Sequence, residues 1–185
     1  FGKIKTNWKF LIENFIEPYH VQFVHKTTTN QPLKDHYTVV DGICYGSGVD
    51  VKEEDVKNNA ALSVTSRYLS LFPNFIIGTY FPNQVGVYLN VPISPGVTSQ
   101  KRIIYTTDGK SMSKEEIEMI KNIWWSVHKE DHEMCERLQE GRSSPAATEG
   151  GLLSPVWEKG VQAFQKLIVN ATMKSSKSTK RKKNV

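Results

Sequence analysis

The sequence predicts an α+β fold in which one antiparallel sheet is packed by a long helix and a C-terminal helix. Short runs of alternating apolar residues recur between residues 36 and 107, divided by turns rich in Pro, Asn and Gly, the pattern of antiparallel strands. From Ser113 to Gly141 apolar residues instead recur at spacings of three and four, the stripe of a core-facing helix. A second apolar face follows Ser154-Pro155. A chain of this length forms one domain with a sizeable core.

Ahead of the sheet, Asn14-Phe15-Ile16-Glu17-Pro18-Tyr19-His20-Val21-Gln22-Phe23-Val24-His25 places a carboxylate and two imidazoles in an apolar, aromatic run. Residues five apart on a regular helix lie roughly 140° from each other, so His20 and His25 cannot share a face of one. Pro18 removes the hydrogen bond to the Asn14 carbonyl and turns Glu17 away from helical angles. We therefore expect one His near the end of a short helix and the other just past it. Imidazole suits iron, zinc and copper, and two His with one carboxylate around an open face is the ligand set of non-haem Fe(II) oxygenases. The same spacing also arises by chance in chains that bind no metal.

Lys26 to Asp35 is polar and reads as a loop. His36 to Gly48 alternates about Asp41-Gly42, a hairpin signal, with His36 as an ordinary residue at the start of a strand. Glu53 to Asn59 is charged and flexible. Strands follow over Leu62 to Leu71, Phe75 to Phe81, Val85 to Val91 and Arg102 to Thr107, joined at Pro73, Pro82 and Pro92 to Gly96. Tyr37, Tyr45, Phe75 and Tyr80 are candidates to line a pocket, although core packing accounts for each.

Ser113 and Glu116 form a capping box that opens the long helix. Its stripe runs through Ile117, Ile120, Trp124, Val127, Met134 and Leu138, and four residues beyond Val127 it reaches Asp131. A carboxylate on the core-facing side is costly unless paired, hydrogen-bonded or bound to metal. Asp131 is thus the candidate third ligand, with pairing to Lys129, Arg137 or another cation as the competing account. His128 and His132 read as supporting or surface residues.

Cys44 and Cys135, the two cysteines, lie far apart and suggest buried thiols rather than a disulfide framework or a Cys-rich zinc site. Six of the 24 basic residues fall between Lys174 and Val185, which leaves 18 against 19 acidic residues in the body. A near-neutral body is not a nucleic-acid binder. The tail could touch phosphates, a membrane surface or an import receptor, and its Ser/Lys composition reads as a disordered end. No apolar run is long enough to span a bilayer and no signal-peptide pattern opens the chain, so a cytoplasmic protein is expected.

Asn7-Trp8-Lys9, Glu13-Asn14-Phe15, Glu17-Pro18-Tyr19-His20 and His25, in that order and spacing, resemble the catalytic-domain signature of Rieske non-haem iron oxygenases, the ring-hydroxylating oxygenase alpha subunits. Leu71-Phe72-Pro73-Asn74-Phe75, Val91 to Gly96, Glu130 to Gly141 and Gly150 to Pro155 extend the resemblance over most of the chain. It implies a helix-grip fold, with His20, His25 and Asp131 as ligands of Fe(II). Glu17, where many members carry Asp, would link that iron to the cluster of a neighbouring subunit. Asn14 would support the site by hydrogen bonding or cap a helix. The implied reaction is hydroxylation, dihydroxylation or oxidative demethylation of a small organic substrate with dioxygen. Electrons would come from a ferredoxin or reductase through a Rieske [2Fe–2S] cluster, in a homo-oligomer that is a trimer by resemblance.

That cluster takes two Cys and two His, and the Cys-x-His and Cys-x-x-His pairs that supply them are absent here. Residues 1–173 are therefore expected to form the iron domain and 174–185 the basic tail, with the Rieske domain upstream and absent from this chain. Two other readings use the same residues. One is a metal-free cavity that binds an apolar ligand, and the other a hydrolase with zinc at the His/His/Asp set.

Overall fold

The computed structural model describes residues 2–29, 31–50, 65–80, 83–107, 109 and 111–182, with side chains to residue 174. The expected flexible segment Glu53 to Asn59 lies outside these residues, as do Phe81 and the first residues of the strand expected from Leu62. The chain forms β1 (Gly2–Ile4), α1 (Trp8–Ile16), the four-residue α2 (Val21–Val24), β2 (His36–Asp41), β3 (Cys44–Val49), β4 (Ser66–Leu71), β5 (Phe75–Tyr80), β6 (Gln84–Ser94), β7 (Val97–Thr106), α3 (Lys114–Arg142) and α4 (Lys159–Lys182). Short 3-10 turns at Leu33–Asp35 and Pro145–Glu149 complete it.

The seven strands make one antiparallel sheet in the order β1-β7-β6-β5-β4-β3-β2, the predicted α+β architecture. β2 and β3 are the predicted hairpin, and Gly42 supplies the left-handed turn conformation with φ +57°. Across the inward face the pairing aligns Tyr45, Ser70, Ile76, Tyr88 and Arg102 in one row. Ser47, Tyr68, Gly78, Gly86 and Ile104 form the next.

Two helices close one half of that face. Ile12 and Ile16 of α1 and Val161 and Phe164 of α4 bury against Tyr45, Ile76 and Tyr88. Phe164 sits edge-on to Trp8, with ring centroids 5.9 Å apart, and 5.5 Å from Tyr45. α3 covers the other half, where its Cys135 is fully buried with Ile4 and Leu11. Cys44 is only half-buried, so the expectation of two buried thiols holds for Cys135 alone.

α3 starts where the sequence places it, behind a complete capping box: Glu116 N donates to Ser113 Oγ at 3.1 Å and Ser113 N to Glu116 Oε2 at 2.7 Å. The last helix differs from expectation at both ends. Ser154 does not open it, because its hydroxyl accepts from Val156 N and Trp157 N while its own N–H donates to Glu158 Oε2. That local turn competes with the helix, which begins at Lys159. At the far end the backbone stays helical to Lys182, beyond the start of the disordered tail expected at Lys174. No Gly or Pro follows Gly160 to stop it.

Candidate metal centre

Three separate elements bring the candidate ligands together. α1 ends at Ile16, with Glu17 already extended at φ −103° and ψ 138°, as a residue before proline prefers. The Pro18 carbonyl then accepts from Val21 N and starts α2. His20 stands just before this helix and His25 just after it, so the His expected just past a short helix is His25, while the other precedes the helix. The break moves both off any common helical axis, and their ring centroids lie 5.2 Å apart. α3 supplies Asp131 from more than a hundred residues away.

His25 Nε2 lies 3.1 Å and His20 Nε2 3.6 Å from Asp131 Oδ1. Among the described residues, His20, His25 and Asp131 are the His/Cys/Asp/Glu group whose donor atoms all lie within 4.8 Å of one another. Each imidazole is held from behind. His20 Nδ1 is 2.7 Å from Glu17 Oε1, while Glu17 Oε2 accepts from His20 N at 3.1 Å. His25 Nδ1 is 2.8 Å from Glu130 Oε2, which also accepts from Thr28 Oγ1 at 2.7 Å. A carboxylate at Nδ1 puts the proton there and leaves Nε2 as the basic, inward-facing atom. Asn14 Nδ2 donates to Asp131 Oδ1 at 2.9 Å.

The electrostatics match a site for a cation. Burial alone raises the Asp131 carboxyl, but its hydrogen bond and ion pairing with His25, with help from His20 and Asn14, hold it well below the usual carboxylate range. Burial lowers His25, and its bonds to Asp131 and Glu130 reverse this and push it up to about 9. Asn14 Oδ1 is a buried acceptor without a partner beside the three residues. Two inward imidazole nitrogens, a buried carboxylate and an orphan acceptor fit a divalent transition metal.

The triad forms one end of a cavity of about 230 Å³. Gly78 and Gly86, paired across β5 and β6, make room for the Tyr80 ring that walls it, since a Cβ at Gly78 would fall on that ring. Tyr68, Tyr80, Tyr88 and Phe15 wall the cavity from the sheet and α1, and Ile120, Trp124, Val127 and His128 wall it from α3. Tyr80 and Tyr88 share a hydrogen bond at 3.0 Å, and burial pushes Tyr88 up to about 12. At the end away from the triad, Arg102 Nη1 donates to His128 Nδ1 at 3.3 Å, and His128 Nε2 bonds Gln100 Oε1 at 2.5 Å. Burial, reinforced by Arg102, pushes His128 down to about 2.

The family model for the ring-hydroxylating alpha subunit, catalytic domain, matches residues 3–174. The chain belongs to that family. Choline monooxygenase of Atriplex hortensis, a chloroplastic protein, is 29% identical over 164 residues, which cover 87% of this chain and 36% of that protein. The corresponding protein of Spinacia oleracea is 24% identical over 164 residues, 87% of this chain and 37% of its own. The chain thus spans little more than a third of these relatives. A quaternary ammonium Rieske monooxygenase, CntA, solved with an inhibitor, superposes with a TM-score of 0.74 at 17% identity, over 91% of this chain and 47% of that one. Dicamba monooxygenase bound to 3,6-dichlorosalicylic acid gives 0.68 at 14% identity, over 95% and 58%. These structures share the α+β fold of the ring-hydroxylating catalytic domain.

Within this catalytic domain the predicted residues fall unevenly. Glu17, Asn14, His20, His25 and Asp131 all converge. Of the four aromatic candidates for the pocket, Tyr80 alone lines the cavity. Tyr45 lies in the core, and Tyr37 and Phe75 are exposed. His36 is more than a residue at a strand's start: it is buried on the cavity wall, and desolvation pushes it down to about 4. Glu130, Thr28, Tyr68, Tyr88, Trp124 and Arg102 were missed as site residues. Glu130 had a signal, because it adjoins Asp131 on a helix and so can flank the same imidazole from a second side.

Proposed function

We propose that this ring-hydroxylating catalytic domain holds a mononuclear Fe(II) on His20, His25 and Asp131 and oxidises a small organic substrate with dioxygen. What carries the reading is the convergence of two Nε2 atoms on one buried carboxylate, each imidazole backed by its own acid. Iron held this way supplies dioxygen activation, with electrons from a Rieske [2Fe–2S] cluster fed by a ferredoxin or reductase. These 185 residues lack the ligand pairs for that cluster, so we place it on a domain outside them.

The chain's own residues set the conditions for that chemistry. Glu17 and Glu130 keep each Nδ1 protonated and each ring in place, and Asn14 orients the Asp131 carboxylate. The aromatic walls hold substrate and exclude water. Burial keeps Tyr80, Tyr88 and His128 neutral. Glu17, at the end of α1 with its side chain 13% exposed, is our candidate for the link to a neighbouring subunit's cluster in a homo-oligomer, by resemblance a trimer. In support, one structural neighbour is described as revealing inter-subunit electron transfer.

The relatives are named for a quaternary amine, choline, and one structural neighbour holds an aromatic acid. Substrate choice therefore rests on this chain's own cavity. Among the described helices none is long and apolar enough to cross a membrane. We propose a cytoplasmic location, which fractionation distinguishes from the chloroplast named for the choline monooxygenases.

The test is anaerobic Fe(II) reconstitution of the chain beside His25→Ala and Asp131→Ala. The expected result is about one iron per chain in the parent and none in either variant. Equal iron in all three proteins, or zinc retained against excess iron with hydrolysis that needs no electron donor, would sink the oxygenase reading.

A further inference from the structure

The end of the cavity away from the triad has the form of an aromatic cage, and the chain has placed its own cation in it. The guanidinium carbon of Arg102 lies 4.0 Å from the Trp124 ring centroid, 4.1 Å from Tyr88 and 5.9 Å from Tyr80. Rings at such distances attract a cation through their faces. Arginine stays charged at any accessible pH, so this corner carries a fixed positive charge.

Among the described residues no Asp or Glu forms an ion pair with Arg102. Its hydrogen-bond partner is the imidazole of His128, which accepts from Nη1, while Nε and Nη2 are buried without a partner. Nε and Nη2 form one edge of the guanidinium plane, the edge that meets a carboxylate in a two-pronged contact. Buried donors of a cation left unmet are costly unless something completes them.

The position suits a ligand bound at the triad. Arg102 lines both the inner cavity and an adjoining cleft between β7 and α3, with Ile120 and Trp124 as shared walls. Its partner His128 stands one turn before Asp131 on α3, about 4.5 Å along the helix axis. An anionic end at Arg102 would leave the apolar remainder of a small molecule against Phe15, Tyr68 and Val127, toward the triad.

We propose that Arg102 is the receptor for an anionic group of the substrate, above all a carboxylate, so that the cavity selects small organic acids over quaternary ammonium compounds. This deepens the oxygenase reading and rests on it for the identity of the pocket. A quaternary ammonium group would meet a like charge in the cage instead of open aromatic faces.

The test uses three probes of similar shape, benzoate, benzamide and phenyltrimethylammonium, titrated calorimetrically into the Fe(II)-loaded chain, with iron content measured on the same samples. Benzoate should bind about tenfold or more tighter than benzamide, with phenyltrimethylammonium weakest. Benzoate should also change the emission of Trp124, a signal absent in Trp124→Phe. Arg102→Met keeps an apolar stem and should lose the benzoate preference without losing iron, whereas Arg102→Lys, which keeps the charge and loses the fork, should retain part of it. No benzoate binding by the parent, an unchanged benzoate affinity in Arg102→Met, or phenyltrimethylammonium binding as tightly as benzoate overturns the proposal. Failure of the parent to hold iron refutes the oxygenase reading instead, and the iron assay separates the two.

Discussion

The two ends of the cavity handle charge in opposite ways. At the triad, each charged side chain has a named partner: Glu17 with His20, Glu130 with His25, and Asn14 and both imidazoles with Asp131. At the far end Arg102 sits between rings with one neutral partner and two unmet donors. A fixed ligand that never leaves can be matched once by a rigid shell whose charges are paired. A ligand that comes and goes must find its complement free. The paired end thus suits a resident metal and the unpaired end a substrate.

The histidines divide by their surroundings. His25 is pushed up to about 9 by its carboxylates, whereas His36 and His128 are pushed down by burial to about 4 and 2. Carboxylates around His25 favour its charged form, whereas burial without a carboxylate partner leaves His36 and His128 neutral.

Asp131→Ala should break the paired end most severely. Stoichiometric iron should be lost, and the metal-free protein should lose about 3–5 kcal/mol because a buried charge loses its partner. Metal analysis and urea midpoints test both. Iron retained at wild-type affinity would mean that the metal sits elsewhere.

Acid should act next, through the buried neutral histidines. For a group whose folded pKa is depressed below 6.5, stability is intact above pH 6.5 and is lost as pH falls toward the folded value. His36 and His128 should each remove on the order of 2–3 kcal/mol from the metal-free protein by pH 4.5. His25, raised in the fold, contributes its full share below pH 6.5, and Asp131, depressed, keeps its share above its ordinary value of 3.8. Over this range Asp131 changes little, and His25 gains on the order of 1 kcal/mol, mostly above pH 6.5, which offsets only part of the loss. Urea midpoints from pH 7.5 to 4.5 should fall for the parent and fall less for His128→Gln; parallel curves would show that His128 does not titrate this way.

A smaller effect sharpens the contrast between the ends. Glu17→Gln and Glu130→Gln should each weaken iron binding by roughly 10- to 100-fold, whereas Arg102→Met leaves it unchanged. Competition with a chelator of known affinity measures all three, and equal loss in the three variants would erase the division of labour. The smallest change acts on both ends at once. Ser113→Ala removes the cap of the helix that carries Trp124, His128 and Asp131, and should cost about 1 kcal/mol without altering iron stoichiometry, read from thermal melts with and without metal.

How much of this was legible depended on distance along the chain. The hairpin at Asp41-Gly42, the cap at Ser113 and the break at Pro18 are written in neighbouring residues, and each appears where the sequence places it. Asp131 was reachable because a helical stripe predicts its own direction. Which face of β6 turns inward was not legible. Alternation offers Val85, Val87, Leu89 and Val91 on one side and Gly86, Tyr88 and Asn90 on the other, and hydrophobicity favours the first. The structure buries the second and leaves Leu89 44% and Val91 42% exposed. The inner face carries polar groups that meet partners within the fold: the Tyr80 and Tyr88 hydroxyls bond each other, and Asn90 Oδ1 accepts from Gln100 Nε2.

The sequence by itself determined the order of elements, the two imidazoles on either side of a short turn and a carboxylate on the inner face of a long helix, because each follows from spacings of a few residues. Only the tertiary structure decided that Asn14 meets Asp131 across 117 residues, that Glu130 backs His25, and that Arg102 fills a cage built from two strands and a helix. Those contacts depend on strand register and on where α3 crosses the sheet. Register and crossing are set by the packing of the whole core, which no short window of sequence contains.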